Sequence, residues 1–177
     1  MEFAEKLTFE DFEKMHSLEN KFYDEEFITP AKEAYEWYVK YPYSVTVAKD
    51  GNEIAGFVNL FPVKKHIFEL IKAGKFNDSE MTYEDIEDKD CGKELNMFLC
   101  CVVIDERYRH EGLTAKLLYA ASKQYEGCRC GEIVTDNVTE DGYAFSEKYG
   151  FDFVCKSDHD SKIYLQKYSS FVEKIKS

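Results

Sequence analysis

A mixed α/β domain with a single core is the fold class that three observations predict for this chain of 177 residues. Strand-like and helix-like patterns interleave along it, which is the signature of helices packed on a sheet. The run LNMFLCCVVI, residues 95–104, is almost wholly apolar, as a central strand buried on both faces must be. Two alternating runs, SVTVAK and EIAGFVNLF, flank the turn signal DGN, so residues 43–49 and 53–61 are expected to pair as an antiparallel hairpin. A domain of this size buries about two-thirds of its unfolded surface and needs no disulfide staple.

The remaining elements follow in order. Residues 2–7 read as a short strand. Thr8, with Glu10 and Asp11 behind it, starts an acidic, capped helix carrying Phe12, Met15, Leu18 and Phe22 at helical spacing. Thr29 and Pro30 are expected at the N-cap and first turn of a second helix, which runs to about Tyr38. After Pro62, HIFELIKA forms a short helix closed by Gly74. Residues 75–93 are acidic and weakly patterned, with Glu80, Glu84, Asp85, Glu87, Asp88 and Asp90. So long a connection is more often functional or disordered than passive. Beyond the central strand come a helix from about Leu113 to Tyr125, a strand near 131–136 and a helix from Glu140 to Tyr149. Strands near 151–156 and 162–167 follow, and the aromatic-rich tail IYLQKYSSFVEKI is able to extend a sheet or bury against a partner. No repeat or linker divides the chain, so residues 1–177 form one domain, with 63–93 as an acidic insertion.

Composition excludes some functions. The net charge of −12 repels polyanions, which argues against nucleic acid and anionic membranes and is compatible with a cationic ligand. No run reaches the roughly 18 apolar residues of a membrane span. The N-terminus lacks an apolar signal region. Six cysteines in this setting are expected as reduced thiols in the cytoplasm. Cys128 and Cys130 lack the companion ligands of a zinc site, so no metal centre is expected. Cys100 and Cys101, in the apolar run without an adjacent His, read as core thiols rather than an acyl-carrying nucleophile.

Chemistry concentrates in IDERYRHEGLTAKLL, residues 104–118, where a central strand gives way to a helix. The first amides of that helix have no intrahelical partner, its dipole is positive there, and Gly112 lets a ligand approach the backbone. Arg107, Arg109, His110 and Lys116 add positive charge, so the junction suits a phosphate.

This stretch also resembles the acetyl-CoA loop of the GNAT superfamily of acyl-CoA-dependent N-acyltransferases, through Ile104, Asp105, Tyr108, Arg109, Gly112 and Leu113. Glu106 and Thr114 depart from the pattern. DGYAFSEKYGFDFV, residues 141–154, resembles the second family signature, and the order and spacing of elements agree. The resemblance implies a twisted, mainly antiparallel sheet flanked by helices and splayed at its central strands. It implies acetyl-CoA as acyl donor, with the backbone of Val102, Val103 and Ile104 along the thioester and pantetheine. The amides of His110, Glu111, Gly112, Leu113, Thr114 and Ala115 would cradle the pyrophosphate, Arg109 would close the loop, and Asn137 would reach the pantetheine.

The implied activity is transfer of acetyl to a primary amine by direct attack. Its acid and base are not where many relatives carry them. The position of the family's tyrosine acid is Ser146, with Tyr143 one turn earlier as a substitute. Phe98 and Val134 stand where some relatives carry Glu. Glu94, Glu132 and Asp136 are the carboxylates left near these strands, able to act through water. The acidic 63–93 segment is expected to form part of the acceptor wall. The acceptor, a small-molecule or a protein amine, stays open, as does monomer or homodimer. The missing acid and base also fit a non-catalytic acyl-CoA-binding module on the same fold, and an acidic interaction domain would bind no coenzyme A.

Overall fold

A computed structural model describes residues 1–109 and 112–177. Seven strands form one sheet: β1 (Glu2–Phe3), β2 (Val45–Asp50), β3 (Glu53–Val63), β4 (Leu95–Ile104), β5 (Cys130–Asn137), β6 (Asp152–Lys156) and β7 (Lys162–Lys167). Their order is β1-β2-β3-β4-β5-β7-β6. All neighbours are antiparallel except β4 and β5, which run parallel. Among the described residues six α-helices cover the sheet: α1 (Phe9–Glu19), α2 (Ala31–Lys40), α3 (Lys65–Lys72), α4 (Leu113–Lys123), α5 (Glu140–Lys148) and α6 (Tyr168–Lys176). No described helix is long and apolar enough to cross a membrane.

Strand alternation sorts the core into two layers. On one face Val58, Leu60, Met97, Leu99 and Ile133 meet Leu113, Leu117 and Leu118 of α4 and Phe171 of α6. On the other, Phe61, Phe98 and Val134 meet Trp37 of α2 and Ile67, Phe68 and Ile71 of α3, while Val47, Phe57 and Val103 meet Phe12, Met15 and Leu18 of α1.

Local chemistry explains most boundaries. Thr8 and Asp11 form a reciprocal capping box at the start of α1. Gly51 supplies the left-handed turn of the β2–β3 hairpin. The expected strand over 2–7 shortens to two residues, because the chain turns in to bury Leu7, whose amide donates to the Tyr38 hydroxyl. Pro30 takes the N-cap of α2, one position earlier than its sequence role. The aromatic tail divides: residues 163–167 join the sheet in β7, and the rest folds back as α6, with Tyr168, Phe171 and Ile175 in the α4-side core.

The insertion is ordered by short 3-10 turns at Asp78–Glu80 and Tyr83–Asp85. Met81 and Ile86 plug it into the α3-side core. Just after α3 Gly74 has φ +70, and a Cβ there would lie 2.7 Å from Ser157 Cα. Its carbonyl accepts from the Asp158 amide, tying the insertion to the β6–β7 loop. Gly74→Ala is expected to cost about 1–3 kcal/mol in denaturant unfolding, because both the backbone conformation and the contact oppose a side chain.

One irregularity sets up the functional region. Asn59 pairs with Cys101 but Leu60 pairs with Leu99, so Cys100 is an extra residue in β4. Such a bulge breaks the alternation. Cys100 and Cys101 therefore both turn to the α1–α3 face, Cys100 packing near Phe98 and Cys101 near Val103.

Candidate active site

The parallel pairing of β4 with β5 ends at Leu99 and Thr135. Thr135 Oγ1 donates to the Leu99 carbonyl at 2.9 Å, fastening the strands where they part. Past that point β4 stays on β3 and β5 stays on β7, so the edge of β4 from Cys100 to Ile104 loses its β5 partner. The wedge between them is a cavity of about 790 Å³. It reaches from the start of α4 on one face of the sheet to α1 and the insertion on the other.

On the α4 side the wall is made by Val102, Val103, Ile104, Tyr108, Arg109 and the residues Gly112 to Ala115. Gly112 is left-handed, φ 70, and as N-cap of α4 it has no side chain to occupy the first amides. The helix start is thus turned to the cavity with its dipole uncompensated by a cap. Arg109 stacks on Phe22, its guanidinium 4.9 Å from the ring centre. Arg107 behaves differently from the sequence expectation of a second ligand-facing charge. Its Nε and Nη2 donate to both carboxylate oxygens of Asp105, at 3.0 and 3.2 Å, and it also approaches Glu53. Arg107 holds the Asp105 carboxyl below its usual range, so this arginine braces the loop. His110 and Glu111, expected to contribute amides, lie outside the described residues.

The sequence-derived catalytic candidates separate. Ser146 is fully buried and its Oγ accepts from Asn137 Nδ2 at 2.6 Å. Asn137 itself lines the cavity, but its amide is committed to Ser146. Tyr143 packs with Tyr164 and carries Lys162 over its ring at 3.9 Å, and neither Tyr143 nor Ser146 is among the cavity-lining residues. Glu94 is exposed just before β4, beside Gly131, at the strand end away from the wedge. Glu132 faces Lys72 at 3.9 Å. Phe98 and Val134 are core residues. Asp136 does line the cavity, and its Oδ2 lies 2.6 Å from His159 Nε2. Of the acidic insertion only Asp78 reaches the wall, while the six carboxylates between Glu80 and Asp90 do not.

On the α1 side the structure assembles groups that sequence reasoning passed over: Glu19, Tyr23, Asp78 and His159. Cys101 donates its thiol to Glu19 at 3.2 Å, and Cys100 donates to Asp78 at 3.6 Å. Burial pushes Glu19 up to about 7 and Asp78 up to about 6. Burial and the neighbouring carboxylates push both thiols well above their ordinary value, so they remain donors and are poor nucleophiles. A carboxylate poised near neutrality, in a cavity, is the arrangement a general base requires. A signal for Glu19 did exist. It stands at i+4 from Met15 and three before Phe22, on the stripe α1 buries, where a charged residue needs a reason.

The fold recurs in solved structures. The GphF GNAT-like decarboxylase in complex with isobutyryl-CoA superposes with a TM-score of 0.66 at 12% identity, over 94% of this chain and 99% of that one. The PaiA N-acetyltransferase from Thermoplasma acidophilum in complex with coenzyme A gives 0.58 at 17% identity, over 95% and 100%. Naa50 of Arabidopsis thaliana, in complex with the bisubstrate analogue CoA-Ac-MVNAL, gives 0.62 at 11% identity, over 95% and 100%. At such identities the likeness is one of fold. No curated protein matches the sequence. The model of the Acetyltransferase (GNAT) family matches residues 12–151, well over half of the chain, and the protein belongs to that family.

Proposed function

We propose that the protein transfers acetyl from acetyl-CoA to a primary amine of a cationic acceptor by direct attack. The observation that carries this reading is the through-sheet cavity, cationic at the α4 start and acidic beside Cys100 and Cys101. The pyrophosphate would rest on the amides of Gly112 to Ala115 with Arg109 against it. The pantetheine would lie along Val102, Val103 and Ile104, taking the hydrogen-bonding edge that β5 vacates. The thioester would then reach the wedge near Asn137.

An acceptor ammonium entering from the α1 side meets Glu19, which takes one proton. The neutral nitrogen attacks the thioester carbon, the C–S bond breaks, and the nitrogen's second proton ends on the coenzyme A sulfur. No tyrosine acid stands at the Ser146 position, so the step depends on alignment of the reactants and on Glu19, both large contributions. Acetyl-CoA titrated by calorimetry, with thiol release measured over an amine panel, tests the reading. Turnover is expected. Arg109→Ala is expected to weaken acetyl-CoA binding about tenfold, the loss of one charge-assisted phosphate contact. Arg107→Ala, whose partner is Asp105, is expected to weaken it far less.

The burial of Ser146, Phe98 and Val134 favours a second reading, an acyl-CoA-binding module without turnover. Acetyl-CoA binding with no thiol release from any amine would support it over the first.

A further inference from the structure

A single acceptor nitrogen needs a single base, yet five carboxylates line the cavity: Glu140 and Asp141 at the start of α5, and, with the thiols of β4, Glu19 from α1, Asp78 from the insertion and Asp136 from β5. Glu19 and Asp136 each lie within electrostatic reach of Asp78. Beyond the effect of burial, Asp78 raises the pKa of Glu19, and Asp136 raises that of Asp78. No described lysine or arginine forms an ion pair with Glu19 or Asp78, and the side-chain donors they have are thiols. A thiol is a weak donor that an ammonium displaces readily. Asp136 is engaged by His159 through Oδ2, but its Oδ1 is buried without a hydrogen-bond partner, on a side chain only 4% exposed. Buried polar atoms of this kind are rare unless a ligand or water completes them. Phe22, Tyr23 and Phe27 line the same cavity and give a methylene chain an apolar surface.

We propose that the acceptor is a small aliphatic diamine or polyamine, acetylated at the amine beside Glu19 while a second amine, still an ammonium, rests between Asp78 and Asp136. This rests on the acyl-transfer reading above. One ammonium would leave the carboxylate trio with excess negative charge in a partly dry space, whereas two offset it. A free amino acid brings a carboxylate into the same field and is disfavoured by it. A peptide N-terminus brings one charge and a chain of amides for which these carboxylates offer only acceptors.

Thiol release from acetyl-CoA is to be compared for butylamine, diaminobutane and a tripeptide with a free N-terminus. The kcat/KM for diaminobutane is expected to exceed that for butylamine by about tenfold or more, the value of one well-placed ionic contact. In Asp78→Asn that ratio is expected to fall to about threefold or less. Asp78→Ser serves as the second variant should the amide fail to melt cooperatively. Equal use of butylamine, preference for the tripeptide, or an unchanged ratio in the Asp78 variants would overturn the diamine assignment and leave acyl transfer standing. Acetyl-CoA binding without thiol release from any of the three would sink acyl transfer and the diamine together.

Discussion

Glu19→Gln is expected to lower kcat at pH 7.5 by about a hundredfold or more, the usual contribution of a positioned general base. The amide keeps the shape of the carboxylate and can still sit beside Cys101, but it cannot take the proton of the acceptor ammonium. The pH profile gives a sharper readout. With Glu19 raised to about 7, activity of the unaltered protein should climb as pH rises through that value. In the variant that limb should vanish, leaving a low activity governed by the amine's own ionisation. A limb of unchanged midpoint in Glu19→Gln would assign the base elsewhere, to Asp78 or to the Asp136–His159 pair.

The same substitution should stabilise the fold. The native carboxyl keeps its proton between the ordinary value of 4.5 and about 7, where the unfolded chain releases it. The folded state binds the extra proton in that window, so stability is lost as pH rises through it. Glutamine carries no such penalty, and at pH 8 the variant is expected to be more stable by about 1–3 kcal/mol in denaturant unfolding. This gain follows from burial alone, so the loss of activity and of the pH limb, not the stability change, identifies Glu19 as the base.

Phe98→Ala is expected to cost about 3–5 kcal/mol, measured by urea unfolding. Phe98 is 1% exposed, meets Phe61 edge-on at 5.8 Å, and pairs with Val134 across the parallel junction of β4 and β5. Truncation would open a cavity behind the point where the strands part, so the wedge should loosen as well. Acetyl-CoA affinity is therefore expected to fall in parallel with stability. A glutamate at this position, as some relatives carry, would be harsher still, since the α2–α3 packing leaves it no partner.

Elements with strong local signals were legible in the sequence. The apolar run 95–104 is β4 to the residue, and DGN is the β2–β3 turn. The capping box at Thr8, Gly74 after α3 and the strand pair at the C-terminus also stand where pattern placed them. These depend on spacing and on backbone preferences that neighbouring residues carry. The α4 start was readable for the same reason, since Gly112 and the unsatisfied amides are local facts. The tail was legible in part: residues 163–167 extend the sheet in β7, whereas the helix after them was chosen by the surface that α4 and β5 left open.

Of the α1 side of the cavity only Asp136 was readable, because its residues come from four places: Glu19 ends α1, Asp78 lies in the insertion, Asp136 is next to last in β5 and His159 sits in the β6–β7 loop. Nothing local links them, and Glu94 or Ser146 looked as suitable as Asp136. One extra residue in β4 aims both thiols at the carboxylates of α1 and the insertion. One side-chain bond at Thr135 fastens the strands where the wedge begins. Local pattern thus accounts for the class of fold, the family and a loop suited to an anion, since each is written in consecutive residues. Which carboxylates share the cavity, and how far burial raises their affinity for protons, depends on desolvation and distance, and these exist only once distant segments have packed.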